Sequence, residues 1–133
     1  MSKKVMIVDD SIMMRTVIRS FVEKIPGFEV AVMAENGKVA LAALDKHPDL
    51  ALILLDIEMP EMDGLAFLRF AKLKSKARVI ILSSVALAGS PHAAKARSLG
   101  ADAIVTKPSG AVSMDLEDKR GQELVTIMRK LAG

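Results

Sequence analysis

Leu50-Ala51-Leu52-Ile53-Leu54-Leu55 is an unbroken apolar run that stops on a carboxylate, Asp56. It does not alternate apolar with polar side chains. A strand of this kind needs cover on both faces, as in the middle of a parallel sheet. Shorter apolar runs lie at Val5–Val8, Val30–Ala34, Val79–Leu82 and Ala103–Val105. Helix-length segments fall between them. Ile12–Ile25 carries Val17, Ile18, Phe21, Val22 and Ile25 at helical spacing. Gly37–Lys46 is rich in Ala and Leu. Gly64–Leu73 places Leu65, Phe67 and Leu68 at core spacing, with Phe70 read on the same buried face. Ser90-Pro91 reads as an N-cap with proline at the first helical position, opening a helix to about Leu99. Gly100 then stands where a helix C-terminus favours glycine. A last helix covers about Lys119–Leu131, after a long loop at 108–118. Alternating strand and helix calls for right-handed crossovers. The expected class is a doubly wound α/β fold, a five-stranded parallel sheet with helices on both faces, forming one domain over 1–133.

Composition narrows the function. Apolar residues make up 51% and charged residues 26%, which supplies one core and excludes a disordered chain. Cysteine is absent, so disulfides and thiolate metal sites are excluded and a reducing cytoplasm fits. The start, Met1-Ser2-Lys3-Lys4 and a short apolar run followed by two acids, reads as neither a signal peptide nor a membrane span. A net charge of +3 invites a nucleic-acid reading. Yet the densest cationic stretch, Arg69 to Arg78, reads as a solvated helix end, and no Tyr or Trp is present to stack on bases. No nucleic-acid partner is expected.

Ligands of open parallel sheets bind at the carboxyl ends of the strands. Asp9 and Asp10 follow the first run, Asp56 the third, Ser83 and Ser84 the fourth, and Thr106, Lys107 and Pro108 the fifth. Three crowded carboxylates repel one another, and a hard divalent cation removes the conflict. Mg²⁺ suits an all-oxygen set that includes one or two carboxylates. Zinc does not, because His47 and His92 are isolated. A carboxylate at the centre of such an edge can attack a phosphoryl group, so Asp56 is the expected nucleophile. Lys107 and Ser83 are then available to neutralise and bind the equatorial oxygens.

These stretches resemble the response-regulator receiver family. The matching segments are Val8-Asp9-Asp10-Ser11, Leu55 to Gly64, Leu82-Ser83-Ser84 and Thr106-Lys107-Pro108. The resemblance implies a flavodoxin-like strand order 2-1-3-4-5, for which the family supplies a standard example. It implies that Asp56 is the phosphoacceptor and that Asp10, Asp56 and the backbone carbonyl of Glu58 are direct Mg²⁺ ligands. Asp9 would act through water, Lys107 would contact phosphate, and Ser83 would reorient toward it. The bond before Pro108 would be cis. A histidine kinase is the implied phosphoryl donor. A closer similarity, over Asp56–Arg69, Leu82–Ser84 and Gly100–Gly110, is to the receiver half of chemotaxis methylesterases. The implied effector is then a tethered output domain, met through the face after the fourth strand. The hydrolase domain itself is not expected in this chain, which has no Gly-x-Ser-x-Gly elbow. The expected state is a monomer, with weak dimerisation on activation.

One departure stands out. Where receivers commonly carry an aromatic switch residue, three before the lysine, this chain has Ile104. Glu58 and Val85 are expected to shape water access to the phosphorylated site, and Met13 and Met14 to lie on a partner-facing rim. Three other classes compete: a phosphorylation-independent binding module, an aspartyl-nucleophile phosphatase and a nucleotide-binding Rossmann domain. The phosphatase lacks its usual Asp-x-Asp pair. The Rossmann reading lacks a glycine-rich first turn.

Overall fold

A computed structural model of the protein describes residues 2–56, 64–83, 91–106 and 119–132. The elements run β1 (Lys3–Val8), α1 (Ile12–Glu23), β2 (Phe28–Ala34), α2 (Gly37–Lys46), β3 (Leu50–Asp56), α3 (Gly64–Lys74), β4 (Arg78–Ser83), α4 (Pro91–Ser98), β5 (Ala103–Thr106) and α5 (Lys119–Ala132). The sheet has five strands in the order β2-β1-β3-β4-β5. All four pairings are parallel. The expected fold class and strand order hold.

The continuous apolar runs arise because each strand serves two cores. Met6, Val8, Ile53, Leu55, Val79 and Ile81 face one core, built with Ala40 and Leu44 of α2, Phe67, Leu68 and Ala71 of α3, and Ala96 of α4. Their neighbours Val5, Ile7, Leu52, Leu54, Ile80 and Leu82 face the other, built with Ile18, Phe21 and Val22 of α1 and Leu124 and Met128 of α5. Period-two alternation of direction thus meets apolar cover on both sides.

The boundaries follow local chemistry. Ser11 caps α1 by accepting the Met14 N–H at 3.2 Å, and Asn36 caps α2 by accepting the Val39 N–H at 2.9 Å. The first helix ends at Glu23 rather than Ile25. Ile25 precedes Pro26, whose ring disfavours helical backbone there, and the Ile25 N–H turns back to the Val22 carbonyl at 3.0 Å. Ile25 remains buried all the same. The second strand begins at Phe28, two residues before the expected Val30, because Phe28 and Glu29 already pair with Lys3 and Lys4. Gly100 closes α4 with φ +105°, a backbone open to glycine without strain. The proposed Ser90 cap lies outside the described residues.

Two expectations about faces are corrected. Phe70 is 44% exposed. Phe67, Leu68 and Ala71 define the buried side of α3, and Phe70 falls about 100° round the helix from its centre. Met14 is a core residue of the α1–α5 side, while Met13 is 61% exposed. Adjacent helical residues point about 100° apart, so the two methionines cannot share one rim.

Candidate functional site

Register builds the site. Val8 pairs with Leu55, so the residues that follow β1 leave the sheet beside Asp56, the last residue of β3. Asp56 pairs with Leu82, and Ser83 pairs with Thr106, which brings the ends of β4 and β5 to the same edge. The backbones of Ser83 and Thr106 therefore lie where the sequence puts them. The Ser83 side chain lies outside the described residues, as do Glu58, Ser84, Val85, Lys107 and Pro108.

Asp9, Asp10 and Asp56 each offer a carboxylate oxygen, and these oxygens all lie within 4.8 Å of one another. Asp9 is 1% and Asp56 2% exposed; they are the buried charged side chains among the described residues. Asp10 is exposed. Buried like charges are costly without a compensating partner. A hard, oxygen-only donor set with one member open to solvent fits Mg²⁺, which keeps part of its water shell.

The β1–α1 turn that carries two of these acids is held at several points. The Asp9 N–H donates to the Ala34 carbonyl at 3.1 Å, tying the turn to the end of β2. The Ser11 N–H donates to Asp9 Oδ1 at 2.9 Å. Arg15 Nη1 donates to the Asp9 carbonyl at 2.6 Å. Arg15 was not among the residues singled out from the sequence. A signal was present: a cation near the N-terminus of a helix opposes the helix dipole, and the first turn of α1 holds no acid to offset it.

A second polar cluster lies at the opposite end of the sheet. Asp102 accepts the Val79 N–H at 2.8 Å, Lys72 Nζ at 3.1 Å and Arg78 Nη1 at 3.2 Å. Burial pushes its carboxyl up, but the Val79 N–H and the two cations outweigh that and hold it below the ordinary carboxylate value. This cluster joins α3, β4 and the entry to β5. His47 caps α2 through its backbone N–H, which donates to the Leu44 carbonyl. Among the described residues no helix is long and apolar enough to cross a membrane.

The model of the response regulator receiver domain matches residues 5–130. The protein-glutamate methylesterase/protein-glutamine glutaminase of Treponema denticola is 45% identical over 115 residues, covering 85% of this chain and 30% of that protein. The chain spans about a third of the length of the curated relatives it matches. The response regulator domain of Thermotoga maritima CheB superposes with a TM-score of 0.81 at 30% identity, covering 99% of this chain and 97% of that one. The crystal structure of the P1 domain of CheA3 in complex with CheY6 from R. sphaeroides holds a chain 56% identical, with a TM-score of 0.80 over 97% of this chain and 95% of that one. With its strand order, its acid cluster and this match over nearly its whole length, the chain belongs to the response regulator receiver family of two-component and chemotaxis systems.

Proposed function

We propose that the chain is a single receiver that accepts a phosphoryl group on Asp56 from a histidine kinase of the chemotaxis type. The observation that carries this reading is the convergence of the Asp9, Asp10 and Asp56 carboxylates within 4.8 Å, two of them buried, at the carboxyl edge of the sheet. In the reaction the phosphorus–nitrogen bond of a phosphohistidine breaks and a bond from phosphorus to an Asp56 carboxylate oxygen forms. Asp9, Asp10, Asp56 and the Glu58 carbonyl would hold Mg²⁺, which supplies positive charge against the phosphoryl oxygens. Lys107, next after the end of β5, would neutralise another oxygen, and the Ser83 hydroxyl would bind a third. Ile12 and Met13, 74% and 61% exposed beside the site, offer an apolar edge to the donor domain. The complex of CheY6 with the P1 domain of CheA3 supports a kinase partner.

Phosphorylation would bias two conformations of the face after β4 and so change its affinity for an effector. The methylesterase relatives support a tethered output domain as that effector; the chain itself would be a non-enzymatic regulator in the cytoplasm. A second reading, a free-standing receiver, is favoured by 56% identity to a chain of which 95% is covered. A binding module that never carries phosphate would have no use for the crowded acids.

Intact-mass spectrometry after incubation with acetyl phosphate tests the reading. A single labile phosphoryl adduct is expected with Mg²⁺, and none with EDTA or in Asp56→Asn. If neither acetyl phosphate nor a phosphorylated kinase gives an adduct on folded, Mg²⁺-bound protein, the phosphate-independent module takes its place.

A further inference from the structure

We infer that Arg15 is a positioning residue for the cation site, a role that rests on the Mg²⁺-dependent receiver reading above. Arg15 Nη1 donates to the Asp9 backbone carbonyl at 2.6 Å, and its own N–H donates to the Ser11 carbonyl at 2.9 Å within α1. The side chain thus reaches back from the first turns of the helix to the strand end. It joins residues six apart in sequence and closes a loop around the turn that bears Asp9 and Asp10. With the Ser11 N–H on Asp9 Oδ1 and the Asp9 N–H on Ala34, the turn is fixed from α1, from β2 and from within. A charge-assisted bond to a backbone carbonyl is stronger than a neutral one. It orients the peptide that precedes Asp10, and so the direction in which the exposed Asp10 carboxylate leaves the chain. Asp56, at the end of a strand buried on both faces, has no such freedom.

Two effects of Arg15 on the cation have opposite signs. Its charge repels a divalent ion, so deleting it favours binding on Coulomb grounds alone. Its hydrogen bond holds the turn in the binding geometry, so deleting it disfavours binding. The short bond and the threefold restraint of Asp9 place the second effect first. Outer partners of metal ligands commonly contribute ten- to hundredfold in affinity, roughly. Arg15 acts on the backbone rather than on a ligand atom, and a loss near the lower end, about tenfold, is expected.

Isothermal titration of Mg²⁺ into wild type, Arg15→Met, Arg15→Lys and Thr16→Ala is the test, with thermal unfolding of each in Mg²⁺-free buffer. Met keeps the aliphatic stem and removes the donor, so the fold is retained. The expected order is wild type and Thr16→Ala equal, Arg15→Met about tenfold weaker, and Arg15→Lys between them. Mg²⁺ binding by Arg15→Met as tight as wild type or tighter overturns the role and leaves the receiver reading standing. Arg15→Lys weaker than Arg15→Met also overturns it. Wild type that binds no Mg²⁺ sinks the receiver reading itself, before any Arg15 variant is compared.

Discussion

Val8 and Leu55 are register partners across β1 and β3, and this single pairing sets Asp9 beside Asp56. The acid cluster is thus a property of the sheet. Its like charges are brought together by the pairing of apolar strands.

In Mg²⁺-free buffer, Asp56→Asn is expected to stabilise the fold by about 1–2 kcal/mol, the scale of a like-charge contact in an environment of intermediate dielectric. The same change removes the phosphoryl adduct. Chemical denaturation beside intact-mass analysis checks both. A variant less stable than wild type in EDTA would show that the cluster is not under charge strain.

Mg²⁺ is expected to raise the melting temperature of wild type and to do so in proportion to site occupancy. At a hundred times the dissociation constant the gain is about 2.7 kcal/mol. Asp10→Asn lowers that gain and EDTA abolishes it. Calorimetry with Ca²⁺ as a control separates site binding from ionic strength.

Asp102 contributes to the acid limb of stability. Its carboxyl is held below the ordinary value in the folded chain. Its contribution is therefore fully present above the unfolded value, about 3.9, and is lost as pH falls through the lower folded value. Asp102→Asn keeps the shape, loses the charged bonds to Lys72 and Arg78, and is expected to cost about 1–2 kcal/mol at neutral pH. Its denaturation midpoint between pH 5 and 2 then falls less steeply than that of wild type.

Gly100→Ala is expected to cost about 1–2 kcal/mol from the left-handed backbone. The added carbon would also sit 3.4 Å from Lys72 Cγ and Cε, close to the ion pair with Asp102. Phosphorylation by acetyl phosphate should persist in the folded variant, because this turn lies at the other end of the sheet. Loss of the adduct at full folding would link the two ends directly.

Ile104 is half-buried against the α2–α3–α4 core and pairs with Ile81. An aliphatic chain packed in this way cannot make the large rotation of an aromatic ring. Activation is expected to shift the backbone over Ser83–Leu99 instead. Amide chemical shifts with and without a phosphoryl mimic report this, and an unchanged segment rejects it.

The sheet was legible because both faces of each central strand are covered. Apolar runs of that kind have few other uses. The acids were legible for the same reason: each follows such a run at once, so strand ends and chemistry coincide in sequence. Phe70 and Met14 were misread because spacing assigns a stripe and not its edges. Asp102 was not singled out, since its partners Lys72, Arg78 and Val79 come from α3 and β4. Arg15 offered only the weak signal of a cation near a helix N-terminus. Its partner is a backbone carbonyl, which every residue carries and no sequence marks.

Ile81 and Leu82 are neighbours on β4, yet they touch different layers of the molecule. Ile81 leans on the layer of α2, α3 and α4, and Leu82 on the layer of α1 and α5. A displacement of the β4 backbone by a fraction of its own width is therefore broadcast to both sides at once. One event at the tip of this strand can address two surfaces that face opposite directions, and a partner on either can read it without meeting the other.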